Sequence, residues 1–143
     1  MQRQRGLTLL ELLVVLAIIG FVTAGVALSL RDGQQTQLEN EAQRLMAHLE
    51  AARVSARTSG VTLVWRSTED GYTIVRPGNK PFKTEPWLYP TTVVTASTTP
   101  VVLGPEPIMA RVTFTLSQAG SAPSHTPAVR IGSDGLRPFE RLP

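Results

Sequence analysis

The chain contains no cysteine. That excludes a disulfide framework, a thiolate metal site and a thiol nucleophile. Histidine is scarce, with only His48 and His125, and neither has an acidic or cysteine companion at ligand spacing. Both therefore read as solvated side chains, and no metal site is expected. Glycine-rich phosphate loops and the paired carboxylates of a hydrolase are missing as well. Ser121, Ser124 and His125 do not form a nucleophile elbow, which requires a serine on a strand-to-helix turn. The pattern thus predicts neither an enzyme nor a cofactor. Charge of one sign is not concentrated either. From Val61 onward eight Lys/Arg face six Asp/Glu, a balance that argues against nucleic acid as a partner. With 143 residues the chain suits one compact domain.

What the sequence does have is apolar continuity. Leu12–Leu30 is 19 residues without a charge, and as a helix it spans about 28 Å, close to the roughly 30 Å of bilayer hydrocarbon. A helix is required there because hydrocarbon offers backbone N–H and C=O groups no partner. Arg3 and Arg5 lie just ahead of the run, which favours a cytoplasmic N-terminus and an exported C-terminal part. Glu11 sits at the run's edge. Position alone leaves two readings open, a functional carboxylate at the membrane or the first charge outside the span. An ordinary secretory signal would have its small-residue cleavage site at Val22-Thr-Ala24. Glu11 at its head and the apolar continuation through Leu30 both argue against it.

After Arg31-Asp-Gly33 a helical period returns. Leu38, Ala42, Leu45, Leu49, Ala52 and Ala56 recur at spacings of 4, 3, 4, 3 and 4, one apolar stripe that predicts core packing. Glu39, Glu41, Arg44, Glu50, Arg53 and Arg57 fall mostly off it, acids early and bases late as the helix dipole favours. Gly60 is the expected stop. From Val61 the period alternates. Val61–Arg66 and Tyr72–Arg76 read as strands joined through Asp70-Gly71, which supplies positive-φ turn chemistry. Pro77, Pro81, Pro86 and Pro90 make the next stretch loop-like, with Trp87 as a plug beneath it. Thr91–Ala96, Arg111–Leu116, Ala128–Ile131 and Leu136–Phe139 read as further strands. Gly120–Pro127 reads as a loop, and Ser133-Asp-Gly135 as a tight turn.

Arg3-Gln-Arg-Gly6 followed by Leu7-Thr-Leu-Leu-Glu11 and an unbroken apolar helix resembles the prepilin leader of type IV pilins and type II secretion pseudopilins. The resemblance implies that a prepilin peptidase cuts between Gly6 and Leu7, that Leu7 is then N-methylated, and that Glu11 is the fifth mature residue, used in assembly. The family's usual first mature residue is Phe, where this chain has Leu7. It also implies an α+β pilin-like fold: a long N-terminal transmembrane helix packed against a C-terminal antiparallel β domain. The expected divisions are a leader over 1–6, a membrane and assembly half-helix over 7–30, a periplasmic half-helix over 31–60 and a β domain over 61–143.

Thr113-Phe-Thr-Leu116, Gly120, Val129-Arg-Ile131 and Asp134-Gly135 resemble, more narrowly, minor pseudopilins of the H type. The implied role is a structural subunit that initiates or tips a periplasmic pseudopilus, anchored in the bacterial inner membrane. Its implied partners are other minor pseudopilins, the major pseudopilin, the prepilin peptidase, the inner-membrane assembly platform and secreted substrates. No metal site is expected, since the late acids are only Asp134 and Glu140. Similar domains occur in FimT-like and FimU-like minor type IV pilins. For a DNA-capturing pilin of that kind the relevant stretch is Gly135–Arg141, where Arg137 and Arg141 flank an opposing Glu140.

Overall fold

The computed structural model describes residues 9–78, 80–120 and 127–143, with backbone alone over 27–32. The chain divides into two compact units between Gln34 and Gln35. Helix α1 is assigned over Leu9–Ser59, Gly33 included. The second unit holds the later turns of α1 and eight strands: β1 (Leu63–Ser67), β2 (Gly71–Arg76), β3 (Lys80–Pro86), β4 (Thr92–Ala96), β5 (Val101–Leu103), β6 (Val112–Gln118), β7 (Val129–Ser133) and β8 (Glu140–Leu142). They form two antiparallel sheets, ordered β3-β2-β1-β5 and β4-β6-β7-β8.

The apolar stripe of α1 is the helical wall of the core. All six of its residues are buried, together with Leu63, Trp65, Tyr72 and Ile74 from one sheet and Phe114, Leu116 and Ile131 from the other. Aromatic contacts join the two sheets. Trp65 stacks on Tyr72 at 6.0 Å between ring centroids and meets Phe114 edge-on at 4.9 Å. Trp87 lies 5.1 Å from Tyr72 and is buried, the plug its loop was expected to need. Gly60 ends the helix at φ 66°, a left-handed conformation that a Cβ disfavours.

Several expectations need correcting. The proline-rich stretch after Pro77 is not all loop, because Lys80–Pro86 forms β3. Proline lacks the ladder N–H, but β3 is an edge strand and Pro81 lies beside a register shift at Ile74/Val75, where prolines are tolerated. Val101–Leu103 pairs with β1 as β5, a three-residue strand too short to announce itself by alternation. The final strand is Glu140–Leu142, not Leu136–Phe139, whose backbone turns instead. Gly71 is needed for close approach, since a Cβ there would stand 2.1 Å from the Glu85 carbonyl oxygen; its φ is not in the positive region. The turn at Gly135 does have positive φ, 97°. His48 is half-buried, and its Nδ1 shares a hydrogen bond with the Tyr72 hydroxyl, so it is not a solvated residue. His125 lies outside the described residues.

Two charges read as surface groups are inside. Glu41 is 0% exposed and Arg53 only 3%. Each ties an irregular segment to α1, where buried backbone groups need partners. Glu41 Oε2 accepts the Leu88 N–H at 2.6 Å. Arg44, one helical turn on, donates to the Pro86 carbonyl at 2.8 Å and pairs with Glu85.

Burial pushes the Glu41 carboxyl above its ordinary range, against the lowering by the Leu88 amide and the Arg44 guanidinium. The sign follows from linkage. A raised native value means that stability is fully present below the unfolded value of 4.5 and is lost as pH rises through the native one. Glu41→Gln keeps an acceptor for Leu88 and abolishes that slope. Urea unfolding of the full chain in detergent is therefore expected to favour Glu41→Gln over the wild type more at pH 7 than at pH 4. Glu41→Ala leaves the buried amide without its acceptor and is expected to lose about 2 kcal/mol at pH 4, and less at pH 7 where the wild type has itself lost part of the Glu41 contribution.

Candidate membrane and assembly segment

Over Leu9–Val26, α1 is long and apolar enough to cross a membrane, and none of this stretch is buried. Leu10 is 72% exposed and Phe21 81%. A contiguous apolar surface of this extent is not stable against water and needs lipid or other protein chains to cover it. The one hydroxyl described within the span is satisfied internally. Thr23 Oγ1 donates to the Ile19 carbonyl at 2.9 Å and the Gly20 carbonyl at 3.0 Å, as a polar side chain in hydrocarbon must.

Glu11 stands exposed on this same helix. Gly6 and Leu7, the expected cleavage and methylation positions, lie outside the described residues. Glu11 and the apolar surface thus share one helical segment.

The second unit, from Gln35 to Pro143, is the larger of the two. Its C-terminal turn is tied to α1 by Arg53, which donates to the Arg137 and Gly135 carbonyls, each at 2.9 Å, and to Pro107 at 3.5 Å. Glu50 accepts the Phe139 N–H at 2.8 Å. The backbone of Gly135, Arg137 and Phe139 is thereby tied to the helix. Arg141 pairs with Glu39 at 3.0 Å and Arg137 lies 3.9 Å from Asp134. Two backbone hydrogen bonds and the neighbouring Arg137 and Arg111 charges hold the Asp134 carboxyl below its ordinary range, mostly through the Arg137 and Leu136 amides.

An uncovered apolar helix that continues into the wall of an antiparallel β domain is the make-up of a pilin-like structural subunit. The prokaryotic N-terminal methylation motif matches residues 1–27, and the family described as type II transport protein GspH matches residues 41–135. The chain belongs to the GspH family. It is a minor pseudopilin-like, minor type IV pilin-like structural subunit, and the family is not one of enzymes. Its fold is similar to that of the type IV minor pilin FimU of Pseudomonas aeruginosa. One FimU crystal form gives a TM-score of 0.59 at 17% identity, covering 76% of this chain and 90% of FimU. A second gives 0.56 at 17% identity, covering 74% and 93%. No curated protein matches the sequence. Membership implies interaction with the prepilin peptidase and with other pilins. The apolar N-terminal helix is consistent with inner-membrane anchoring.

Proposed function

We propose that the chain is a minor pseudopilin that initiates or tips the pseudopilus of a type II secretion system. In this reading the prepilin peptidase cuts between Gly6 and Leu7 on the cytoplasmic side, and the new amine of Leu7 is methylated. Residues 7–30 hold the subunit in the inner membrane with the β domain in the periplasm. The assembly platform then lifts it into a filament beside the other minor and the major pseudopilins, where the exported domain can meet secreted substrates. The observation that carries the reading is the uncovered apolar helix of Leu9–Val26 with Glu11 on it.

Glu11 has a physical task in this scheme. Cleavage leaves a positive amine at Leu7, and once helices pack together that amine and a neighbour's Glu11 lose water. Pairing offsets the desolvation of both, and a lone carboxylate in the same place is strongly penalised. A polar contact inside an apolar bundle also fixes register between subunits.

The mature protein purified from its own cells is expected to begin at Leu7 and to carry one methyl group on that amine, read by N-terminal sequencing and intact mass. A first residue of Met1 or Gly25 overturns the processing. Glu11→Leu is expected to be processed normally, while its recovery with other pilin-like subunits falls by about tenfold or more. Normal recovery removes the role given to Glu11. Recovery of the wild-type chain with a type IV pilus would transfer it to that machine.

A further inference from the structure

We propose that the outer edge of β4 is a docking site for an extended segment of another pilin-like subunit, which adds to the sheet as a strand. The proposal rests on the structural-subunit reading above, but on neither the cleavage site nor Glu11.

The ladder geometry shows which backbone groups are open. Ser97 N–H donates to Thr113 and Ala119 N–H to Thr91, at 2.8 and 2.7 Å, extending the β4–β6 pairing at both ends. In an antiparallel pair alternate residues exchange hydrogen bonds, so Thr91, Val93, Thr95 and Ser97 face β6. Val94 and Ala96 therefore aim their N–H and C=O away from the sheet, and no backbone partner meets them among the described residues. Across the gap, Thr68 N–H donates to Gly71, which sets the even residues of β1 toward β2. Ser67 consequently aims its N–H and C=O toward the β5 side, beyond the last β5 pair at Trp65–Val101.

These two open edges line one cleft of about 380 Å³, bounded also by Trp65, Arg66 and Pro100. An incoming peptide backbone supplies donors and acceptors together.

The other edges are protected and this one is not. Natural sheets blunt exposed edges with proline, charge or brevity. β3 carries Lys80, Pro81, Lys83 and Pro86. β5 has three residues between Pro100 and Pro105, and β8 has three, two of them charged, just before Pro143. β4 is Thr-Val-Val-Thr-Ala, five residues without proline or charge. The partner is another pilin-like subunit because membership of this family implies such neighbours, and strand addition is a recurrent mode of protein recognition.

Amide hydrogen exchange on the full chain tests this, comparing the detergent-solubilised protein alone with the assembly co-purified from its own cells. The amides of Ser67, Val94 and Ala96 are expected to exchange about tenfold more slowly or better in the assembly. Unchanged exchange at all three in an assembly that contains the chain overturns the docking proposal and leaves the functional reading standing. Failure to recover any pilin-like subunit overturns both. Ala96→Pro removes one outward N–H and no β6 ladder bond, a placement that edge strands tolerate, whereas Ala96→Ser keeps the N–H. The proline variant is expected to fold by near-ultraviolet circular dichroism and to lose co-purification about tenfold, with the serine variant unaffected. A folded proline variant that assembles normally overturns the proposal, as does a cross-link from Thr95 to a second copy of this chain.

Discussion

Trp65→Ala is expected to destabilise the protein by about 4 kcal/mol, in the range for deleting a buried aromatic from a packed core. Trp65 is 1% exposed and fills the space between the sheets, stacked on Tyr72 and edge-on to Phe114. Its removal separates surfaces that belong to different sheets, and α1 cannot move inward to refill the space because Leu45 and Leu49 are already buried against the same core. Against a total stability of about 5–15 kcal/mol, a loss of that size brings many domains close to unfolding. Trp65→Phe is expected to lose less than half as much. It keeps a ring in the aromatic cluster and removes the buried indole N–H, which has no acceptor among the described residues and whose desolvation burdens the native state. Urea unfolding of the full chain in detergent, followed by near-ultraviolet circular dichroism, gives both values. A change confined to the denaturant midpoint, with the slope unaltered, identifies a native-state effect.

The core was legible because it is periodic. Six small or aliphatic residues at alternating spacings of 3 and 4 can share a helix face only by packing inward, and all six are buried. Glu41 and Arg53 were harder to place because their charge assigns them to the solvated face. Their spacing held a clue: Glu41 lies three residues after Leu38 and four before Leu45, and Arg53 lies four after Leu49 and three before Ala56. Those intervals put each beside the stripe, at the depth where a polar end can reach a loop while the stem packs. Which loop it reaches is a long-range fact, set by contacts such as Glu41 to Leu88 and Arg53 to Gly135, and no local pattern encodes it. β3 was hidden for a different reason. Its prolines read as breakers, and only its position at the sheet edge makes them harmless.

The apolar segment was legible in the sequence as Leu12–Leu30, and the helix is long and apolar enough to cross a membrane over Leu9–Val26, because an unbroken apolar run needs no tertiary partner to be recognised. The β4 edge was not. Its sequence reads as an ordinary half-buried strand, and its open side depends on the crossover after Ala96 carrying the chain from one sheet to the other. Strand order, unlike strand identity, is settled by the whole domain. Glu11 and its apolar helix can be pointed to in the sequence itself, whereas the outward backbone groups at Ser67, Val94 and Ala96 are visible only from the register.

Arg53→Ala is expected to destabilise the domain by about 3 kcal/mol, most of it from the cavity left where the buried stem packs. The guanidinium gathers three carbonyls from two loops, Pro107 on one and Gly135 and Arg137 on the other. Lysine has the charge without the planar fork and cannot span them, so Arg53→Lys is expected to recover less than half of the loss. Arg53→Met separates charge from volume. Each carbonyl keeps another donor when Arg53 goes: Arg57 for Pro107, the Met109 N–H for Gly135 and the Ser133 hydroxyl for Arg137. None is left without a partner, and the methionine stem fills most of the space, so Arg53→Met is expected to lose only about 1 kcal/mol. If Met and Ala are equally damaging by urea unfolding, the charge itself is what matters there. The spatial signature is equally specific. In Arg53→Ala, amide hydrogen exchange is expected to speed up over the turn from Asp134 to Phe139, whose ties to α1 run through Arg53 and Glu50, while β1 and β2 keep their protection because their contacts with the helix lie on the opposite sheet.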